Sequence, residues 1–108
     1  MTESRGLEEG SDTPPPRAGA IVRVLRICNE KGLHARASAK FVQTVEKFDA
    51  NVRVIRGGDI VGGTSIMGLM SLAAACGTDI TVDAVGAEAE AAITAIEALV
   101  SGRFGEEA

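Results

Sequence analysis

A pair of glycines between two short β-branched segments is the feature that most constrains the fold. Gly57 and Gly58 separate residues 51–56 from residues 59–62, and both segments contain Val and Ile. Because glycine adopts positive φ angles without steric cost, this pair favours a tight turn between antiparallel strands. The sequence therefore predicts a β-hairpin in the middle of the chain.

Hydrophobic periodicity on either side of this hairpin predicts two further strands and three helices. β-branched or alternating segments are typical of strands, and apolar residues three or four apart indicate helices. A hydroxyl at Thr64 or Ser65 can cap the short middle helix. The predicted order is a strand at 21–28, a helix at 35–48, strands at 51–56 and 59–62, a helix at 65–72, a strand at 79–84 and a helix at 87–100. This βαββαβα order favours an α+β fold with a four-stranded sheet and all helices on one face.

The two ends of the chain differ in composition from the part between them. Residues 1–19 are mostly polar and contain all 3 prolines, so they bury too little apolar surface to offset chain entropy. We expect a disordered extension over residues 1–19 and one domain over residues 20–101. Residues 102–108 are expected to form a frayed tail.

Charge and composition exclude several kinds of partner. The chain has 15 acidic and 11 basic residues, a net charge of -4, so it lacks the basic surface that nucleic acid or anionic lipid requires. Without a long apolar stretch or a signal peptide, the protein is expected to be cytoplasmic, with no membrane partner.

The cysteines and the lone histidine do not predict a metal site. A reducing compartment argues against a disulfide, so Cys28 and Cys76 are interpreted as apolar filler. Neither cysteine lies at ligand spacing from the histidine. Scattered carboxylates also give no convergent catalytic pocket. We therefore expect no metal, no cofactor and no autonomous enzyme.

The single histidine, His34, lies where the loop after the first strand meets the first helix. First-turn amides lack helical acceptors and the helix dipole is positive there, so both would stabilise an anion on the imidazole. Arg36 could hydrogen-bond two phosphoryl oxygens at once. A neutral imidazole is a nucleophile without a separate base. The pattern is compatible with a phosphoryl acceptor, and also with a histidine that only caps the helix or lies on the surface.

The short middle helix has more apolar residues than one buried stripe can hold, so some must face outward. Two interpretations stay open, loose core packing and an adaptable docking surface. Ser65 at its start is either a simple N-cap or also a phosphorylation switch. The apolar residues concerned are Ile66, Met67, Leu69, Met70 and Leu72.

Two motifs together resemble the histidine-containing phosphocarrier HPr of the phosphotransferase system. They are GLHAR at residues 32–36 and SIMGLMSL at residues 65–72. The similarity covers about residues 20–101. It implies an open-faced βαββαβα sandwich, in which three helices cover one face of a four-stranded antiparallel sheet.

The resemblance also implies roles for individual residues. His34 would be phosphorylated at Nδ1 by phospho-Enzyme I, which takes its phosphoryl group from phosphoenolpyruvate, and Arg36 would stabilise the phosphate. The group would then pass to a histidine of an Enzyme IIA protein. Ser65 matches the serine that HPr kinase/phosphorylase modifies in many bacteria. A monomer is expected, with a docking surface formed by Ile66, Met67, Leu69 and Met70.

Some residues depart from the family pattern, and two branches of function stay open. Ala37 replaces the usual proline, which restores an amide donor in the first turn. Glu46 stands where many relatives are basic or neutral. The carrier could serve sugar uptake or the nitrogen-related branch, whose carrier is called NPr. The alternative is a regulatory HPr-like binding module acting through phospho-Ser65, but such modules lack the histidine, so His34 argues against it.

Overall fold

The elements of the structure follow the predicted order. The computed structural model describes residues 17–108. Its elements are β1 (Ile21–Arg26), α1 (Ala35–Val45), β2 (Asn51–Arg56), β3 (Asp59–Gly62), α2 (Ile66–Ser71), β4 (Asp79–Val85), α3 (Ala89–Ser101) and a final 3-10 turn (Arg103–Gly105).

The four strands form one antiparallel sheet in the order β1, β4, β2, β3. The β2–β3 hairpin forms as predicted, with Arg56 opposite Asp59 and Gly57 at φ +60 in the turn. β4 lies between β1 and β2, so the last strand joins the hairpin to the first strand. This arrangement confirms the α+β fold with an antiparallel four-stranded sheet.

The helices cover one face of this sheet, and the core lies between them. α3 packs on β1 and β4, α2 contacts β3, and α1 contacts both other helices. Burying large aliphatic and aromatic side chains here supplies the main stabilisation, about 1.5 to 3 kcal/mol for each one fully removed from water. The fully buried members include Phe41, Val54, Leu69, Val82 and Ile96.

Helix α1 ends earlier than the predicted residue 48. Its last helical residue is Val45, and Glu46 caps the end. The amides of Lys47 and Phe48 then bond to carbonyls only three residues back, those of Thr44 and Val45. Such tightened bonds satisfy the last carbonyls of a helix while turning the chain away from it.

The sheet face opposite the helices contains a buried acidic residue. Asp83 is 1% exposed because two guanidinium groups cover it, with Arg17 and Arg53 each 2.6 Å from a carboxylate oxygen. Burial alone would raise the pKa of Asp83, but the hydrogen bonds from Arg53 and Arg17 lower it below its ordinary value. The predicted disorder of residues 1–16 lies outside the described residues. Over residues 17–19 the structure differs from that prediction, because Arg17 is held by Asp83.

Part of the segment 102–108, where a frayed tail is expected, is ordered in the structure by a 3-10 turn at Arg103–Gly105. Phe104 is fully buried in the core cluster, and its carbonyl accepts a hydrogen bond of 2.6 Å from Lys40 Nζ. Removing this aromatic ring from water offsets the entropy of ordering the last turn. The cysteines also differ from expectation, since both Cys28 and Cys76 are exposed free thiols rather than core residues.

Within residues 17–108, α1, α2 and α3 are all too short to span a bilayer. In the same part of the chain, His, Cys, Asp and Glu side chains do not cluster as a metal ion requires.

Candidate functional site

His34 is the N-cap residue of α1. Its backbone is extended (φ -76, ψ -178), and its side chain makes no capping hydrogen bond. The first helical bond runs from the Ser38 amide to the His34 carbonyl at 2.9 Å. The amides of Ala35, Arg36 and Ala37 therefore precede the helical ladder and have no acceptor within it. These donors, at the positive end of the helix dipole, would favour an anion beside His34.

The loop between β1 and α1 is fixed by glycine and by a buried amide. Gly32 has φ +67 and packs so closely that an added Cβ would lie 2.4 Å from the Ala74 carbonyl oxygen. The same oxygen accepts the Leu33 amide at 3.0 Å. The fully buried Asn29 donates from Nδ2 to the Gly32 carbonyl at 2.8 Å. The backbone before His34 is thus tied to the segment that follows α2.

The His34 ring faces the C-terminal tail. Its Nε2 lies 2.5 Å from Oε2 of Glu106, and Oε1 of that carboxylate accepts from Asn29 Nδ2 at 3.0 Å. The side chain of His34 is 26% exposed and that of Glu106 is 15% exposed. Hydrogen bonds, first from His34 and then from Asn29, lower the pKa of Glu106 below its ordinary value against a smaller effect of burial. Glu106 is therefore ionised at neutral pH.

A shallow depression of about 290 Å³ surrounds the exposed part of His34. Arg36 lies on its rim as an exposed side chain, and no hydrogen bond or ion pair occupies its guanidinium within residues 17–108. The structure thus brings together His34 and Arg36, as the sequence predicted. The charged residues that line the depression are Glu30, Lys31, Arg36, Glu106 and Glu107.

Glu106 is the residue that the sequence-based prediction missed. It lies in the segment where the sequence predicts a frayed tail, although Phe104, one of only 3 phenylalanines in the chain, is a signal to the contrary. A large apolar residue in an otherwise polar terminus indicates an anchor to the core. The contact between Glu106 and Nε2 of His34 could not be predicted from the sequence, because the sequence does not show where the chain runs after α3.

Ser65 is the N-cap of α2, which confirms the capping prediction. Its Oγ accepts a hydrogen bond from the Gly68 amide at 2.9 Å. The residue is exposed, so its hydroxyl can be reached from solvent. It belongs to a different helix from His34, although α1 and α2 are in contact.

The apolar residues of α2 divide between the core and the surface. Met67 is 76% exposed, Met70 39% and Ile66 38%, and we call these three the docking patch. Leu69 and Leu72 are buried at 0% and 2%. The prediction that Leu69 lies on a docking surface is therefore wrong, because its side chain completes the core beneath the helix.

The groups around the His34 ring have the chemistry that a phosphate on the ring would need. The imidazole is partly exposed, first-turn amides and a guanidinium lie beside it, and the adjacent carboxylate can only accept hydrogen bonds. The amides and the guanidinium favour a negative charge beside the ring, and the carboxylate favours a positive charge on the ring.

Comparison with known proteins identifies the family. The model of the HPr component phosphorylation site of the phosphotransferase system (PTS) matches residues 21–102. The chain is 49% identical to the phosphocarrier protein HPr of Neisseria meningitidis over 82 residues, which cover 76% of this chain and 92% of that protein. It is 39% identical to the phosphocarrier protein NPr of Shewanella violacea, with 80% and 94% covered. The crystal structure of HPr from Thermoanaerobacter tengcongensis has a TM-score of 0.78 at 40% identity and covers 82% of this chain and 99% of that one. The chain belongs to the HPr family of bacterial PTS phosphocarriers.

Proposed function

We propose that His34 accepts a phosphoryl group at Nδ1 from phospho-Enzyme I and passes it to a histidine of an Enzyme IIA protein. The observation that carries this proposal is the position of a partly exposed imidazole at the N-cap of α1. Membership of the phosphocarrier family supports it. The protein would act as a cytoplasmic monomer without a cofactor.

The transfer needs few groups from this chain. The Nδ1 lone pair forms a bond to phosphorus while the bond from phosphorus to the donor histidine breaks and its electron pair returns to that ring. Arg36 and the first-turn amides would neutralise the phosphoryl oxygens. The Ala37 amide is one of these donors, and a proline at this position could not supply it.

Intact mass spectrometry tests the acceptor. The full chain is incubated with phosphoenolpyruvate, Mg²⁺ and catalytic Enzyme I, and the reaction is quenched in alkali because phosphohistidine is labile in acid. One added phosphate is expected on the wild type and none on His34→Ala. His34 makes no capping bond through its side chain, but its ring is hydrogen-bonded to Glu106, so this variant should lose about 1 to 2 kcal/mol of stability. Acid-labile phosphate on a folded His34→Ala variant would disprove the proposal.

The contribution of Arg36 can be separated from general charge effects. Arg36→Ala should accept phosphate roughly 10-fold more slowly, since one charge-assisted hydrogen bond contributes about 1.5 kcal/mol. Arg23→Ala is the matched control, because Arg23 is an exposed guanidinium on β1 whose one hydrogen bond among residues 17–108 is to the carbonyl of its neighbour Val22. Equal rates of phosphate uptake by the two variants would show that Arg36 does not contribute to the transfer.

The docking patch is proposed to contact both Enzyme I and Enzyme IIA. Met67 is the most exposed of the large apolar side chains that the structure describes, and thioether side chains adapt to differently shaped partners. Met67→Glu should raise the KM for Enzyme I by roughly 10-fold or more, as expected for a central contact. Val24→Glu is the control, since Val24 is 64% exposed on the strand β1. A KM that rises equally in both variants would argue against the patch.

We also propose Ser65 as a site for HPr kinase/phosphorylase. Its exposed hydroxyl caps α2 directly before the docking patch, so a phosphate there would add negative charge beside that patch. Incubation with the kinase and ATP should add one acid-stable phosphate to the wild type and to Ser71→Ala but not to Ser65→Ala. Ser65→Asp should weaken transfer from Enzyme I, and unchanged kinetics would argue against the switch.

A regulatory binding module is the second candidate function, and the exposed Ser65 is the observation that favours it. The Enzyme I experiment and the kinase experiment together distinguish the two candidates. A chain that takes up acid-stable phosphate on Ser65 but none on His34 would be such a module, whereas phosphate on His34 supports the carrier.

A further inference from the structure

The pairing of Glu106 with His34 specifies which ring nitrogen holds the proton. An ionised carboxylate has no hydrogen to donate. At 2.5 Å from Glu106 Oε2, the Nε2 atom of His34 must therefore be the donor. The neutral ring then has its proton on Nε2 and its lone pair on Nδ1.

The tail that carries Glu106 is anchored just before the contact and at Glu106 itself. Phe104 is fully buried and its carbonyl is bound by Lys40 Nζ at 2.6 Å. The Glu106 amide donates to the Arg103 carbonyl at 2.9 Å, and its carboxylate is also held by the buried Asn29. A carboxylate with a fixed backbone and a second donor does not need to be ordered at the moment of reaction.

We propose that Glu106 is a positioning residue for phosphoryl transfer, which keeps the proton on Nε2 of His34 in both the free and the phosphorylated protein. This inference rests on the proposed function, in which His34 is the acceptor. Glu106 lies outside the two motifs, and it would act on the imidazole ring rather than on the phosphate.

The proton on Nε2 matters for both halves of the transfer. When the Nδ1 lone pair forms its bond to phosphorus, the ring becomes an imidazolium with hydrogen on Nε2, and the Glu106 carboxylate lies against that positive charge. In the second half the N–P bond breaks, its electrons return to Nδ1, and a neutral imidazole leaves. Without the Nε2 proton the leaving group would be an imidazolate anion, which is far more basic. Glu106 therefore holds the carrier in the form that releases phosphate readily.

Other charged groups around the ring do not duplicate this effect. Glu30 and Lys31 from the preceding loop, Arg36 from α1 and Glu107 from the tail line the same depression. Within residues 17–108, Glu106 is the group that the structure shows hydrogen-bonded to the His34 ring. Two of the other four are basic and two are acidic, so their effects on the ring charge oppose one another.

The first measurement uses the unphosphorylated full chain. ¹⁵N NMR correlations through the ring carbons distinguish the two tautomers of the neutral His34 ring. We expect the tautomer with hydrogen on Nε2 to dominate in the wild type and in Glu107→Ala, and a mixture in Glu106→Ala. Glu106→Gln should retain the preference, because its amide oxygen still accepts from Nε2. An identical tautomer ratio in Glu106→Ala and Glu107→Ala would overturn the inference.

The second measurement uses the phosphorylated chain and follows its hydrolysis across pH. Loss of the Nε2 proton slows hydrolysis at high pH, and the midpoint of this change should fall by about one pH unit in both Glu106→Ala and Glu106→Gln, since both lack the carboxylate charge. Glu107→Gln should leave the midpoint in place. An unchanged midpoint in both Glu106 variants would also overturn the inference. If the wild type takes up no phosphate at all, the proposed function fails, whereas the tautomer ratio still shows whether Glu106 sets the ring proton.

Discussion

Replacing Gly32 with alanine should destabilise the loop that positions His34. A Cβ at this position would lie 2.4 Å from the Ala74 carbonyl oxygen and 3.0 Å from the Ala75 Cα. Left-handed backbone at φ +67 costs alanine about 1 to 2 kcal/mol. The overlap is with backbone, so relieving it should break the hydrogen bond from the Leu33 amide to Ala74, at about another 1 to 2 kcal/mol. We expect Gly32→Ala to lower the free energy of unfolding by about 2 to 4 kcal/mol.

Gly57 provides the matched control for this prediction. It has φ +60, close to that of Gly32, but an added Cβ there meets no atom within 4 Å. Gly57→Ala should therefore lower the free energy of unfolding by only about 1 to 2 kcal/mol, the cost of left-handed backbone for alanine. Urea unfolding of both variants measures the difference. Equal losses would show that the close approach to Ala74 contributes nothing. If the contact positions His34, Gly32→Ala should also accept phosphate more slowly than Gly57→Ala at a temperature where both are folded.

Three further predictions concern stability. Ala73 follows the C-cap of α2 with φ +52, so Ala73→Gly should raise the free energy of unfolding by up to about 1 kcal/mol, and a loss in urea unfolding would contradict this. The pKa of Asp83 is lowered in the folded state, so its stabilisation is present above its unfolded pKa of about 3.9 and is lost as pH falls through the lower folded value. Asp83→Asn should therefore be less stable at pH 7 and lose less stability than the wild type on acidification, whereas parallel pH profiles would refute the pairing with Arg17 and Arg53. Phe104→Ala should release the tail, at a cost of about 3 to 5 kcal/mol, and expose it to carboxypeptidase, in contrast to Arg103→Ala.

The sequence was sufficient for the order of elements because each carries a local signal. The hairpin follows from Gly57 and Gly58, and the N-cap of α2 follows from the hydroxyl of Ser65. His34 at the start of α1 follows from the same boundary reasoning, since the helical pattern begins directly after it. These signals involve residues that are neighbours in the chain, where backbone geometry is determined by residue type.

The sequence was insufficient where a contact joins distant parts of the chain. Arg17 was assigned to a disordered extension, but its partner Asp83 lies on the last strand. Leu69 was placed on the surface, because periodicity in a six-residue helix does not decide which of several apolar residues faces the sheet. Glu106 could not be placed without the path of the tail after α3. In each case the deciding energy is tertiary, either burial of an apolar group or satisfaction of a buried charge.

A carboxylate beside a histidine that is proposed to carry a dianionic group looks unfavourable, since the two negative charges repel each other. The geometry resolves this, because the imidazole separates them on different edges of one ring. Glu106 occupies Nε2, and the first-turn amides and Arg36, which line the same site, would be the donors for a phosphate on Nδ1. In the phosphorylated state the ring between them would be cationic, so both anions would then interact with a positive charge that the free, neutral ring lacks. Groups arranged in this way stabilise the phosphorylated ring more than the free ring, and they do so without having to move.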